Sequence, residues 1–231
     1  MRSSSLRATS FALLLVAGLA RAEAPARLEL DWELLKDGST IAVVSQKFVR
    51  QAGRYEMTEV WQGRGLYRLL GSAKRTSRGE VVAQGLRPLE YSDERTGRDT
   101  EHARFDWRAN TVTYEYKDGP KTIPLPANPR DKLQFLLEFM FQPPKGQTVA
   151  LDVIDGRGVS DQVYQVDGRE RLDTPAGGFD AVKLVRRKNN GDRAEIWLAV
   201  DRGYLPVRVL IVDHNGTRLD QVLTRVSAPD R

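Results

Sequence analysis

Apolar and polar residues alternate with a period of two along much of the chain. The clearest example is the segment 28–34, where four apolar side chains are separated by three carboxylates. The apolar positions in it are Leu28, Leu30, Trp32 and Leu34. Strict alternation over this length predicts a β-strand with one buried face and one solvated face.

Turn signals separate these alternating segments at short intervals. Asp37-Gly38, Asp118-Gly119 and Asn215-Gly216 each follow an apolar alternation, and such pairs supply the positive φ angles of tight hairpins. Asp167-Gly168 and Gly191-Asp192 are weaker turn signals. The pattern predicts a mainly β protein of roughly ten to twelve strands, folded as one strongly curved antiparallel sheet that forms an open or closed barrel.

One segment, Asn128–Phe141, has helical rather than strand character. Asn128 is a favourable N-cap, Pro129 suits the first helical position, and Pro143-Pro144 ends the pattern. We expect this segment to form the main helix and to pack against the sheet. Its apolar surface is wider than one stripe, so it must be covered on most of its circumference.

Such a helix can fill the core, or it can line a cavity for an apolar guest. The second interpretation predicts a ligand site made by the helix together with aromatic side chains from the strands. The helix residues in this hypothesis are Phe135, Leu136, Phe139, Met140 and Phe141, and the aromatic ones are Trp32, Trp61, Tyr67 and Trp197.

The first 22 residues have the features of a secretory signal peptide. Two arginines precede an apolar run that is too short to span a bilayer, and Ala20-Arg21-Ala22 follows it. This pattern predicts cleavage between Ala22 and Glu23. Residues 23–231 are then expected to form a single β-rich domain in the periplasm, with no membrane-spanning segment.

The amino-acid composition limits the kinds of binding and catalysis that the protein can perform. The chain has 36 Lys and Arg residues against 31 Asp and Glu, and three of the arginines lie in the signal segment, so the remainder is nearly balanced and nothing indicates nucleic-acid binding. There is no cysteine, which excludes disulfides, thiol nucleophiles and thiolate metal sites. We expect no cofactor and no metal.

No catalytic motif is evident, and we predict that the protein is not an enzyme. His102 lies in a charged stretch and His214 precedes a turn, so neither indicates a metal ligand or base. The stretch 92–104 is an exposed loop or two charged edge strands around Gly97. Carboxylate pairs such as Asp93/Glu94 and Asp152/Asp155 are expected on the solvated surface; the alternative is a carboxylate-dependent cell-wall hydrolase.

Several motifs together carry a resemblance to a known family. They are Pro88-Leu89-Glu90-Tyr91, the run from Tyr164 to Lys183, Glu195-Ile196-Trp197-Leu198, and Tyr204-Leu205-Pro206-Val207-Arg208. With the export signal, they resemble the exported bacterial family catalogued as domain of unknown function 3108. The resemblance covers nearly all of the chain after the signal. It implies a periplasmic, β-rich protein without an assigned activity, and it transfers no functional residue.

The same C-terminal hairpins are also similar to those of LolA-like lipoprotein carriers. Ile196-Trp197-Leu198 is followed by an Asp-containing turn, Leu205-Pro206 and an alternating strand. That similarity implies a half-barrel with an apolar cavity for acyl chains. We therefore expect binding or transport of a lipid-like ligand in the cell envelope, and the alternative is an envelope module that only contacts another protein.

Overall fold

The structure is a computed structural model that describes residues 24–227. The predicted signal segment and its cleavage site at Ala22 and Glu23 lie outside the described residues. Within residues 24–227, no helix is both long and apolar enough to cross a bilayer.

Within residues 24–227, fifteen strands form one sheet, more than predicted because residues 92–104 and several short segments also pair. The strands are β1 (Arg27–Lys36), β2 (Ser39–Gln51), β3 (Arg54–Gly63), β4 (Ser72–Val82), β5 (Gly85–Arg95), β6 (Glu101–Asp106), β7 (Thr111–Glu115), β8 (Pro120–Pro124), β9 (Pro129–Asp131), β10 (Thr148–Asp155), β11 (Gly158–Thr174), β12 (Gly177–Arg187), β13 (Arg193–Ala199), β14 (Leu205–Val212) and β15 (Arg218–Ser227).

The sheet is an open, curved meander with one long-range pairing. Its order is β8-β7-β6-β5-β4-β3-β2-β1-β15-β14-β13-β12-β11-β10-β9, and all pairs are antiparallel except β9 with β10. In the described part of the chain, β1 and β15 are the one pair of neighbouring strands that are distant in sequence. The edge strands β8 and β9 follow each other along the chain, and they are not paired with each other. The predicted curved antiparallel sheet is confirmed.

The strongest local signals formed the expected structures. Asp37-Gly38, Asp118-Gly119 and Asn215-Gly216 all lie in hairpin turns, and Asp37 and Gly38 have φ angles of 48° and 85°. Gly191-Asp192 is also in a turn, but Asp167-Gly168 forms a bulge inside β11 instead. The alternating residues of β1 bury their apolar face as predicted.

The prediction of a helix over Asn128–Phe141 was largely wrong. Its first residues form β9, a 3₁₀ turn covers Gln134–Leu136, and the α-helix α1 contains only Glu138–Phe141. The backbone N–H of Asn128 donates to the Asp152 carboxylate, and its side chain donates to the Ala150 carbonyl. The cap residue thus bonds to β10 rather than starting a helix.

Residues 132–142, which we call the plug, pack into the curved sheet. Leu133 and Leu137 join the apolar cluster that contains Trp32, and Phe139 joins a second cluster formed by β10, β12 and β13. The Phe141 ring lies 5.7 Å from that of Phe48 on β2. The predicted packing of one helix against the sheet is therefore confirmed, although the helix is a single turn.

Candidate functional site at the seam of the sheet

A row of polar side chains crosses the buried face of the N-terminal half of the sheet. Strand register places one residue from each of five consecutive strands opposite the next: Gln46, Glu59, Arg75, Asp93 and Glu101. Four of the five are buried, and the Arg75 side chain is 14% exposed. Charged groups rarely occur at such depth unless they are paired. We call this set the polar row.

Arg75 lies at the centre of the polar row. Its guanidinium donates to Glu59 at 2.9 Å and to Asp93 at 3.0 Å, and it lies 5.0 Å from the Trp61 ring centroid. Burial raises the pKa of Asp93, but hydrogen bonds from Arg95 and the charge of Arg75 outweigh that effect and hold the pKa below its usual value. Asp93 is therefore ionised, and its charge is compensated on both sides.

The outer end of the polar row meets the other edge of the sheet. Glu101 on β6 accepts a hydrogen bond from the Arg157 guanidinium at 2.6 Å, and Arg157 lies in the turn after β10. A Cβ on Gly156 would lie 2.5 Å from the Glu101 Cβ, so the two backbones approach closely. Within residues 24–227, no hydrogen-bonded ladder joins β6 to β10. We call this junction between β4–β6 and residues 129–157 the seam.

A second polar contact across the seam involves Asp131, which is fully buried. The Ser77 hydroxyl donates to its carboxylate at 2.5 Å, and Tyr55 shares a hydrogen bond with Ser77 at 3.0 Å. The other oxygen accepts the backbone N–H groups of Leu133 and Gln134. Burial raises the pKa of Asp131 to about 6, and these hydrogen bonds oppose the rise.

A third contact fixes α1 to the start of β5. One Glu138 oxygen accepts the Leu86 backbone N–H at 2.8 Å, and the other accepts a hydrogen bond from Arg130 at 2.8 Å. Burial raises the pKa of Glu138 to about 7, while the charge of Arg130 lowers it. The seam is thus held by three acidic side chains, Glu101, Asp131 and Glu138, rather than by a strand ladder.

Several buried polar atoms near this region have no hydrogen-bond partner among residues 24–227. They are the indole N–H of Trp32, the hydroxyl of Tyr91, one oxygen of Glu101 and both amide atoms of Gln134. Native proteins satisfy most buried polar groups, so each such atom needs an explanation. Burial raises the pKa of Tyr91 well above its usual value, so its hydroxyl stays a neutral donor.

The structure brings most of the predicted ligand residues around the plug. Trp32, Trp61, Met140, Phe141 and Trp197 belong to or pack against the first apolar cluster. The remaining plug residues Phe135, Leu136 and Phe139 belong to or pack against the second cluster.

Two of the predicted aromatic residues do not offer a free ring next to the plug. Tyr67 is 39% exposed, in a 3₁₀ turn between β3 and β4, so the structure does not bring it to the plug. The Trp197 ring has cations of Lys183 and Arg208 at 5.2 Å and 4.9 Å from its centroid.

An outer concavity offers no apolar alternative. It has a volume of about 650 Å³ and lies between β2 and β5, on the face opposite the polar row, where charged side chains border it. They include Lys47, Glu56, Arg78 and Glu90. None of the nine predicted ligand residues lines this concavity.

Sequence reasoning placed Asp93 on the solvated surface, and that was wrong. Asp93 is fully buried, while its neighbour Glu94 is exposed. The available signal was the period of two in β5, which puts Asp93 on the same face as Tyr91. Glu59, Asp131 and Glu138 were missed because their burial depends on distant segments. Asp155 forms an ion pair with Lys132 at 2.7 Å, and its side chain is 17% exposed.

The histidines do not join these acids. His102 lies between Glu101 and Ala103, which are buried, so its exposed side chain points to the opposite face. His214 lies at the β14–β15 turn and contacts Asp192 at 3.3 Å, as expected for a hairpin-tip residue. Among the described residues, no group of three or more His, Asp or Glu side chains is placed to hold a metal.

Comparisons with known proteins agree with this fold. The family model of DUF3108, described as a protein of unknown function, matches residues 27–224. No curated protein matches the sequence. A β-barrel-like protein of the domain of unknown function DUF1849 from Brucella abortus is similar with a TM-score of 0.54 and 12% identity, over 89% of this chain and 98% of that one. At this identity the likeness concerns the fold alone.

Two further solved structures are more distant. A protein from Bacteroides fragilis described as having a YmcC-like fold gives a TM-score of 0.37 at 11% identity, over 89% of this chain and 97% of that one. A protein from Parabacteroides distasonis, described as a candidate lipoprotein, gives 0.36 at 12% identity, over 89% and 96%.

Proposed function

Since the chain belongs to the DUF3108 family, whose function is not known, we propose from its structure that it binds a lipid-like, apolar molecule in the cell envelope. The guest enters the curved sheet when the plug moves out, and the plug takes its place in the unloaded protein. The export signal in residues 1–22 supports a periplasmic location for this activity.

The observation that carries the proposal is the construction of the seam. A closed barrel resists opening because a strand ladder joins its edges, whereas this seam depends on side-chain contacts of Glu101, Asp131 and Glu138. The plug behind it contains one turn of α-helix and a 3₁₀ turn. Short elements of this kind open at a lower free-energy cost than long paired strands. We therefore expect the guest to enter the curved sheet at the seam.

The surroundings of the plug support an amphipathic guest. Apolar side chains such as Leu137 and Phe139 occupy space that an acyl chain would fill, and both clusters continue onto the strands. The unpartnered indole N–H of Trp32 and hydroxyl of Tyr91, which lie on strands and stay in place when the plug moves, could bond to a polar head group. Ligand sites combine a mainly apolar lining with a few polar groups in this way.

Two measurements test the proposal. Native mass spectrometry of the protein purified from its own periplasm should show an adduct of lipid mass. In addition, dansyl-undecanoic acid should bind saturably, and the double substitution Leu137→Ala and Phe139→Ala should strengthen that binding severalfold, because a weaker plug raises the open fraction.

The matched control is Leu34→Ala, which removes a buried leucine from β1 that belongs to neither apolar cluster and leaves the plug intact. It should lower stability without strengthening the binding of the fatty acid. A protein that is ligand-free from its own periplasm, and whose plug variant binds no fatty acid, would contradict the proposal.

A further inference from the structure

The 3₁₀ turn Gly65–Leu70 exposes apolar side chains to an unusual degree. Leu66 and Leu69 are 84% and 86% exposed, and Tyr67 is 39% exposed. Among the other residues whose side chains the structure describes, the large apolar ones with high exposure lie on strands, at exposures from 37% to 47%. A cluster of exposed apolar residues marks an interaction site more often than scattered ones do.

Hydrogen bonds and close packing fix this turn against the neighbouring strands. Tyr67 donates its backbone N–H to the Arg64 carbonyl at 3.0 Å, and Gly71 donates to the Arg68 carbonyl at 3.2 Å. Gly71 packs against the Thr96 side chain with no room for a Cβ, and Thr96 exchanges hydrogen bonds with Ser72. The position of the two leucines is therefore fixed. We call residues 64–70 the platform.

The charged side chains of the platform are both positive, whereas those of the adjoining segments are mixed in sign. Arg64 and Arg68 are exposed at its start and within it, and the turn contains no acidic residue. Lys74 and Arg98 are exposed in the adjoining segments, together with the acids Asp37, Glu94 and Asp99. Exposed leucines beside arginines, with a tyrosine between them, are the composition of segments that insert into the surface of an anionic bilayer.

We infer that the turn Gly65–Leu70 docks the protein on the surface of an anionic lipid bilayer, with Leu66 and Leu69 inserted among the acyl chains and Arg64 and Arg68 on the lipid phosphates. The turn lies at the end of the sheet where Arg95 and Arg157 reach solvent from the polar row. Docking therefore presents that end of the seam to the membrane. This inference does not require that the protein carries a guest.

Vesicle sedimentation tests the inference with the purified protein. Vesicles of phosphatidylcholine and phosphatidylglycerol at about 3:1 should bind it, and pure phosphatidylcholine vesicles should bind it more weakly. The substitutions Leu66→Asn and Leu69→Asn together should lower the partition coefficient at least tenfold, on the order expected for removing two inserted leucines. Arg64→Gln with Arg68→Gln should abolish the preference for phosphatidylglycerol.

The matched control is Val159→Asn with Val163→Asn, which removes two exposed apolar residues from β11. It should bind vesicles within about twofold of the unchanged protein. Unchanged vesicle binding by the double leucine variant, with its thermal unfolding intact, would overturn the inference. So would absence of vesicle binding combined with leucine-dependent capture of an envelope protein, which would assign the turn to a protein partner.

Discussion

The two halves of the sheet bury different chemistry on the same kind of strand. β2 to β6 carry the polar row, centred on Arg75, whereas β10, β12 and β13 bury an apolar cluster that includes Leu184 and Ile196. Side chains alternate between the two faces of the sheet in both halves, although β13 is buried on both faces. The comparison teaches that alternation tells which residues share a face, but not whether that face is held by charge pairing or by apolar packing.

The largest effect is expected from Arg75→Met, which keeps much of the side-chain volume and removes the charge. Glu59 and Asp93 would remain buried without their shared cation, so the free energy of unfolding should fall by about 4 kcal/mol. Urea denaturation measures the change. Adding Glu59→Gln and Asp93→Asn should restore most of the loss, and no recovery would mean that shape rather than charge stabilises the polar row.

The apolar half should respond less strongly and without charge dependence. Leu184→Ala leaves a cavity in a fully buried position and should lower the free energy of unfolding by about 3 kcal/mol. The loss should be equal at pH 5 and pH 8, because the one titratable group among the buried residues of that cluster is Tyr164, and burial raises the pKa of its hydroxyl above the ordinary value, so it stays neutral over this range. A pH-dependent loss in urea denaturation would show that the two halves are coupled.

The pH dependence should have opposite signs in the polar row and at the plug. Burial raises the pKa of Glu138 from 4.5 to about 7, so between these values the folded protein binds more protons than the unfolded chain. Stability should therefore fall by about 3 kcal/mol as the pH rises through that window. The lowered pKa of Asp93 acts the other way, and its contribution is lost only as the pH falls below the ordinary value.

Glu138→Gln isolates the plug contribution. It should reduce the fall in unfolding free energy between pH 4.5 and 7 and leave the part below about pH 6 that comes from Asp131, whose pKa is also raised by burial, whereas Glu94→Gln at an exposed position should leave the whole dependence unchanged. An undiminished slope in the Glu138 variant would contradict the assignment.

The smallest effect is expected from Arg208→Met. The contacts of Arg208 have nearly the same geometry as those of Arg75. Both guanidinium groups lie about 5 Å from a tryptophan ring and bond to a carboxylate, but the partner Asp220 is 17% exposed and solvent can compensate its charge. Thermal unfolding should show a loss of about 1 kcal/mol. A loss equal to that of Arg75→Met would mean that burial is not what distinguishes the two sites.

The parts of the fold that were predicted correctly depend on neighbours in sequence. Asp37-Gly38 specifies its hairpin through its own φ angles, and the alternation of β1 specifies its buried face. The helix prediction failed because Asn128 and Asp131 have the right types for a helix start, but β10 and Ser77 supply competing hydrogen bonds. Those partners are 24 and 54 residues away, so no local pattern indicates them.

The candidate site was predicted only in its apolar part. Phe139 and Trp32 were assigned to the interior because large apolar side chains are buried by default. Glu59 and Glu101 become neighbours of Arg75 and Asp93 only through the register of three strand pairs. A shift of one residue in any pair would turn a carboxylate to the solvent, so the polar row is a property of the assembled sheet.

The pairing of β1 with β15 determines the order in which the molecule can assemble. Glu29 lies opposite Ser227, so the middle of the sheet is completed by the first and last strands of the described chain. Until β15 is available, β1 is an unprotected edge, and the two halves are joined by the link between β8 and β9 and by the side-chain contacts of the seam. The final pairing closes a loop of nearly the whole chain, which makes it the slowest contact to find.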